Sequence, residues 1–449
     1  MSVATEAGAP VVVTPSGPVR GRVHADGGVV EFLGLRYAQA ERFGAPVPEP
    51  AWDDVRDARN PGPQCPQLAS RMDAIAGPSN ADELGQDEDC LRLSVRAPAD
   101  VRPDERLPVL MWIHGGAYVI GGVDLSWYDT ARLVREGRVV AVGVGYRLGV
   151  LGWLRSPGVS PGNLGLADLA AALHWIHRHI AAFGGDPDAV TLVGESAGAH
   201  AIACLMGAPD LRPLFHRVVL QSGQLGLGLG TERSAARVAG YVDDALDGAD
   251  PRTVGVDALL EAQRRAMVRH AGPGGINSSP AFTPVAGIAP LVGVSAADPW
   301  VAAAHSGHPM IIGTTLDEAN TFVHIAPPLR RLRRRFPTAV GVGSRLATHR
   351  VFTWPAQRLA TRAAAAGTTV STYRFTWSAP DSDLGACHAI ELPFLFGGRE
   401  AWQEAPMLAG ASWDDDVEPL GRSLRRWWLD FVTGRESAAQ TPSSASASR

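Results

Sequence analysis

Lysine is absent from this 449-residue chain, so all 41 of its basic residues are arginines. That absence excludes a Schiff-base lysine, the lysine of a phosphate-binding P-loop and a Ser-x-x-Lys nucleophile pair. Covalent or acid–base chemistry falls to serine, cysteine, histidine and the carboxylates. Cysteine is scarce as well: Cys65, Cys90, Cys204 and Cys387, with no Cys-x-x-Cys pair. Four thiols are too few for a disulfide scaffold, and their spacing suggests no metal site. No run of about 18 apolar residues occurs, so no membrane-spanning helix is expected. Met1–Gly8 shows neither the basic start nor the apolar stretch of a signal peptide, and the expected location is cytoplasmic. A net charge of −5 is near balance for this length and calls for no nucleic acid and no membrane as partner.

What the chain has is apolar material, 45% of its residues, enough for a sizeable core. Much of it comes in short unbroken runs: Pro108–Ile113, Val139–Val144, Val190–Val193, Val218–Leu220 and Met310–Ile312. Thr369–Trp377 alternates and is rich in β-branched and aromatic residues. Continuous apolar strands, covered on both faces, characterise parallel sheets. Between two of them, residues 163–183 carry Leu166, Leu169, Ala170, Leu173, Ile176 and Ile180 at helical spacing. Asn163 is the expected N-cap and Gly184-Gly185 the stop. The alternation predicts one large α/β domain over residues 11–435. Residues 18–37 read as a small antiparallel edge. Residues 1–10 and the Ser/Ala-rich 436–449 read as disordered tails.

Three features carry chemistry. Gly194-Glu195-Ser196-Ala197-Gly198 follows an apolar strand and precedes a helix start of small residues. This is the strand–turn–helix setting in which a strained turn exposes a nucleophilic serine, with glycines where side chains would clash. His114-Gly115-Gly116-Ala117-Tyr118 directly follows the strand 108–113. Its N–H groups at Gly115 and Gly116, with that of Ala197, make a candidate oxyanion hole. Finally, a nucleophile of this kind is followed along the chain by an acid and then a histidine. His388 is the candidate base, and Asp317 and Glu318, after the strand 310–312, are equal candidates for the acid.

With these motifs in place the chain resembles the type-B carboxylesterase family, which includes cholinesterases, p-nitrobenzyl esterases and the catalytically inactive neuroligins. The resemblance runs from about residue 17 to 434. It includes Phe32-Leu33-Gly34-Leu35-Arg36-Tyr37-Ala38, Glu88-Asp89-Cys90-Leu91, Phe183-Gly184-Gly185-Asp186-Pro187, Gln221-Ser222-Gly223 and His388-Ala389-Ile390-Glu391-Leu392-Pro393. It implies an α/β-hydrolase fold with a large, mixed, mostly parallel sheet flanked by helices. It selects Glu318 as the acid of a Ser196–His388–Glu318 triad and places Glu195 and Ser222 as supporting residues. It implies a Cys65–Cys90 disulfide, a small ester as substrate, no cofactor and no metal. Relative to the family pattern, Ala286 stands for an Asp, Leu169 for a Gln, and the cap regions near 224–280 and 323–350 look shortened. Tyr118, Phe282 and Phe322 are the expected pocket lining.

The activity so implied is carboxylic ester hydrolysis through an acyl-enzyme. The rivals are a biosynthetic tailoring enzyme on the same fold (acyl transfer, lactonisation or elimination) and a neuroligin-like binding protein, which the presence of Ser196, Glu318 and His388 disfavours. Three other features are read as structural. Arg330–Arg335 is a solvated helix face, His174, His177 and His179 do not converge, and Gly226–Gly230 is a flexible loop.

Overall fold

The computed structural model of the chain describes residues 4–6, 9–272 and 280–435. Nine strands form its central sheet: β1 (Arg22–Val23), β2 (Val29–Arg36), β3 (Arg92–Pro98), β4 (Leu107–Ile113), β5 (Val140–Val144), β6 (Gly185–Glu195), β7 (Arg217–Gln221), β8 (Met310–Thr315) and β9 (Val370–Phe375). Their spatial order is β9-β8-β7-β6-β4-β5-β3-β2-β1. The six strands from β9 to β5 are parallel, and β3, β2 and β1 continue the sheet antiparallel. This is the α/β-hydrolase architecture.

The apolar runs form strands because both of their faces are covered. Along β4, Val109, Met111 and Ile113 join a core that contains Leu166, Leu169, Leu173 and Ile176 of helix α2 (Leu164–His179). Leu110 and Trp112 point the other way, into a core that contains Leu133 of α1 (Ala131–Gly137) and Leu424 and Trp428 of α10 (Glu418–Val432). The two-residue period of the strand thus feeds two layers of helix. The Arg147 guanidinium, just beyond β5, donates from Nε and Nη2 to the two oxygens of fully buried Asp168 on α2, and from Nη1 to the Gly44 carbonyl. A buried pair this well satisfied offsets its own desolvation, whereas either partner alone would leave a buried charge.

The chain runs from β4 outward to β5, then returns across β4 to β6 and continues to β9. The reversal lies between β4 and β6, and the crevice beyond the carboxyl ends of strands at such a reversal is where α/β sheets place ligands. Register brings the parts together: Ile113 pairs with Gly194 and Glu195 with Gln221. His114, Ser196 and the residues after Thr315 therefore leave the sheet from one end.

Several local expectations are corrected. Asn163 precedes α2, but at φ 53° its side chain makes no capping bond. It instead ties down a distant segment, with Nδ2 donating to the carbonyls of Val285 and Ile288 and Oδ1 accepting from Val285 N–H. Part of the expected N-terminal tail is ordered, because Ala4–Glu6 pairs antiparallel with the strand Ala9–Thr14. The expected tail at 436–449 lies outside the described residues. Among the described residues, the cap region near 224–280 contains α4 (Glu232–Leu246) and α5 (Val256–Ala271), and that near 323–350 contains α7 (Pro327–Arg335) and α8 (Pro337–Thr348). Between them, α6 (Glu318–Ile325) follows β8, and after them α9 (Trp354–Ala365) leads to β9; helix α3 (Ala197–Met206) follows β6.

Candidate active site

Ser196 occupies the turn between β6 and α3 with φ 55° and ψ −118°, a conformation that L residues rarely adopt. The flanking glycines are required by space. A Cβ on Gly194 would lie 2.7 Å from the Gly198 carbonyl carbon, and one on Gly198 would lie 2.0 Å from the Ile113 carbonyl oxygen. The turn thus folds tightly against the end of β4, and Ser196 N–H is fixed by the Gln221 carbonyl at 2.9 Å.

The loop 114–118 faces this turn. Gly116 has φ 104°, and a Cβ there would meet the Ile120 carbonyl oxygen at 2.0 Å. A Cβ on Gly115 would meet Glu195 Oε2 at 2.5 Å. Bare backbone therefore lies beside Ser196, and the N–H groups of Gly115, Gly116 and Ala197 have no acceptor among the described residues. Ala197 opens α3, where unpaired N–H groups favour negative charge.

His388 completes the array. Its Nε2 is 2.8 Å from Ser196 Oγ and its Nδ1 is 2.6 Å from Glu318 Oε2. Glu318 Oε1 accepts from Thr315 N–H at 2.8 Å, so both carboxylate oxygens are occupied. Because a carboxylate only accepts, Nδ1 carries the proton and Nε2 is left to accept from the serine hydroxyl. Asp317, the other acid the sequence allowed, takes a different place. Its N–H donates to the Ala386 carbonyl and its Oδ2 accepts from Ala386 N–H, which docks the histidine loop against the end of β8. All three members of the array are buried: Ser196 5%, Glu318 0% and His388 4% exposed.

Two further carboxylates lie close by. Glu195 Oε1 is 3.1 Å from His388 Nε2. Glu391, fully buried, accepts from Tyr373 OH, from Ser222 Oγ at 3.2 Å and from Gln221 Nε2 at 3.4 Å. Burial pushes the Glu195 carboxyl up to about 7, against the pull of His388. Burial likewise pushes Glu391 up to about 8, against the Tyr373 hydrogen bond. For His388, burial works downward, but the charges of Glu195 and Glu318 outweigh it and hold the imidazole at about 9. Glu391 was missed from sequence as a site residue, although an acid inside the apolar run Ala389–Phe396 was a visible signal.

The family model for the carboxylesterase family matches residues 8–340. The chain belongs to the carboxylesterase family. It is 42% identical, over 96% of its length and 94% of the relative's, to a Rhodococcus erythropolis protein named probable N-octanoylanthranilate hydrolase. It is 32% identical to the para-nitrobenzyl esterase of Bacillus subtilis, over 95% and 90% of the two chains. Among solved structures, a PNB esterase superposes with a TM-score of 0.80 at 30% identity, covering 97% of this chain and 93% of the other. A carboxylesterase of Geobacillus stearothermophilus gives 0.77 at 31% identity, with the same coverage. The protein is a carboxylic ester hydrolase. The family match ends before His388, so that residue enters the site on geometry.

Beyond the array, this carboxylesterase departs from several expectations. Tyr118 is fully buried and does not line an open pocket. Its hydroxyl meets His200 Nδ1 at 2.7 Å, and His200 Nε2 lies 2.9 Å from the Gly228 carbonyl. A carbonyl only accepts, so Nε2 carries the proton and Tyr118 donates. This chain, with Trp300 Nε1 donating to the Leu225 carbonyl, pins the glycine-rich segment 226–230 that was read as flexible. Phe282 is also buried, at 1% exposure, inside the main core. Phe322, at 36% exposure, has its ring 5.3 Å from that of His388, and Phe352 lies 5.2 Å from it on another side. Cys65 and Cys90 are free, buried thiols, not a disulfide. The hydrogen bond to Cys65, together with burial, pushes the Cys90 thiol well above its ordinary range. His179 is buried and bonded to Ser16 and the Trp175 carbonyl, while His174 and His177 are exposed.

Proposed function

We propose that Ser196, His388 and Glu318 hydrolyse carboxylic esters by two-step acyl transfer. The observation that carries this reading is the unbroken chain Ser196 Oγ–His388 Nε2, His388 Nδ1–Glu318 Oε2. His388 takes the serine proton as Oγ attacks the ester carbonyl. The N–H groups of Gly115, Gly116 and Ala197 receive the developing oxyanion, and each such donor is typically worth ~10²–10³ in turnover. Glu318 holds the imidazole tautomer and stabilises the imidazolium. His388 then protonates the departing alcohol and, in the second half, activates the water that releases the acid. Tyr373 and Ser222 hold Glu391 beside this centre, and Glu391 and Glu195 favour the imidazolium through their charge. A fluorophosphonate probe is expected to form an adduct on Ser196, found by peptide mass spectrometry, with parallel loss of nitrophenyl-ester hydrolysis. An unlabelled Ser196 in folded protein overturns the reading.

The carboxylates set a pH dependence. The base must be unprotonated to act, so kcat/KM falls as pH drops through the His388 pKa, and a raised pKa places that limb above the ordinary histidine value of about 6.5. Glu195→Gln removes a negative charge that favours the imidazolium, so the limb is expected to move to lower pH by about one unit. The pH profile of kcat/KM for both proteins reads this. An unmoved or upward-moved limb contradicts it.

The 42% identity to a relative named for N-octanoylanthranilate favours a second reading of the same site, hydrolysis of an acylated anthranilate. An assay of anthranilate release tests it beside the ester panel.

A further inference from the structure

The segment between residues 319 and 380 holds ten of the chain's 41 arginines and none of its 46 Asp and Glu residues. In a chain of net charge −5, that is a separation of charge. Folding neutralises little of it. Arg358 and Arg362 pair with Asp298, and Arg333 donates to the Asp383 carbonyl. Arg330, Arg331, Arg334, Arg335, Arg345 and Arg350 are all exposed and form no ion pair with a described carboxylate. On α7, Arg330 and Arg334, and Arg331 and Arg335, sit four residues apart, where like charges repel. No residue of α7 is buried, so core packing does not explain why this helix is so basic.

The position of the segment supplies the reason. Phe322 precedes α7 and Phe352 follows α8, and both rings pack against the His388 ring and against each other. Helices α7 and α8 are therefore an excursion that leaves from and returns to the base of the reaction centre. That centre holds three buried carboxyl groups, Glu195, Glu318 and Glu391, and whatever negative charge they carry works against an anion. The exposed guanidinium groups carried between these two phenylalanines oppose that effect and favour anionic ligands near the excursion. The same excursion exposes Leu332, Phe336 and Leu346, which suit an apolar body.

We propose that this arginine band selects the substrate: an ester carrying a negative charge away from the scissile bond on an apolar chain. The inference rests on Ser196 being an ester-cleaving nucleophile and goes beyond it by naming the class. Attraction acts before chemistry, so it appears in KM and not in kcat.

The test compares the anionic mono-4-nitrophenyl ester of suberic acid with the neutral 4-nitrophenyl octanoate, both read by nitrophenolate release. With unmodified enzyme, kcat/KM for the anionic ester is expected to fall at least several-fold between ~0.01 M and ~1 M salt, as the screening length shrinks from about 30 Å to about 3 Å. The neutral ester is expected to change little. In the variant R330Q/R331Q/R334Q/R335Q, kcat/KM for the anionic ester is expected to drop about 10-fold through KM, the lower end of electrostatic steering effects, with the neutral ester as internal reference. Equal response of the two esters, or none, overturns the selection. So does a variant that loses binding to anionic phosphatidylserine vesicles while its ester preference is unchanged. No hydrolysis of either ester by the unmodified enzyme instead overturns the functional reading on which the inference rests. The salt measurement needs no variant, so a misfolded one does not remove the test.

Discussion

Ser196→Ala is expected to lower kcat for a simple nitrophenyl ester by roughly 10⁶. Only Oγ is lost. The Cβ is retained, so the strained φ of 55° is no worse for alanine than for serine, and the Ser196 N–H bond to the Gln221 carbonyl persists at the backbone. Thermal unfolding should therefore match that of the parent, which separates lost chemistry from lost structure. His388 and the backbone donors remain and would still leave the ~10³–10⁴ over water that an oxyanion site and binding can supply. The measurement is steady-state turnover with a melting curve on each protein. A folded variant with turnover near the parent's removes Ser196 from the mechanism.

Glu318→Gln is expected to cost about 10⁴ in kcat, through the tautomer of His388 and not through bulk. Glu318 offers two acceptor oxygens, one to Thr315 N–H and one to His388 Nδ1. Glutamine has one oxygen. If that oxygen keeps the Thr315 bond, its NH₂ faces Nδ1 and forces the ring proton onto Nε2. The imidazole then cannot accept from Ser196. Asp317→Asn is the control, because Asp317 touches the histidine loop at Ala386 and not the ring. It is expected to change kcat by less than about tenfold and to act mainly through the stability of that loop. Comparable losses in the two variants, read as kcat in one assay, contradict the assignment of the acid.

The parts of the fold legible in the sequence were those with a local cause. The apolar runs at 108–113, 190–193 and 310–312 are strands because parallel strands are buried on both faces, and that burial is written as uninterrupted hydrophobicity. The Gly194–Gly198 turn was legible because its close approaches leave no room for side chains. What failed depended on partners far along the chain. Asn163 reads as a cap, yet its amide is occupied by Val285, 122 residues on. Tyr118 ends the loop 114–118 that faces Ser196 and reads as lining, yet a hydrogen bond to His200 turns it inward. Cys65 and Cys90 are close enough to share a hydrogen bond but remain thiols. Strand order alone left Asp317 and Glu318 equal, and the family resemblance favoured Glu318, because the two differ locally only in which way the chain turns as α6 begins.

The approach of Gly198 to the Ile113 carbonyl has a wider consequence. The position of Ser196 is set by main chain resting on main chain, at the junction of β4 and α3. Nothing in that contact depends on which side chains line the entrance. The exposed residues of the excursion between Phe322 and Phe352, unlike buried Ser344 and Thr348, which bond to the start of α6, are therefore free to vary without displacing Ser196 Oγ. A new substrate range can be written into α7 and α8 while the reaction geometry stays as it is.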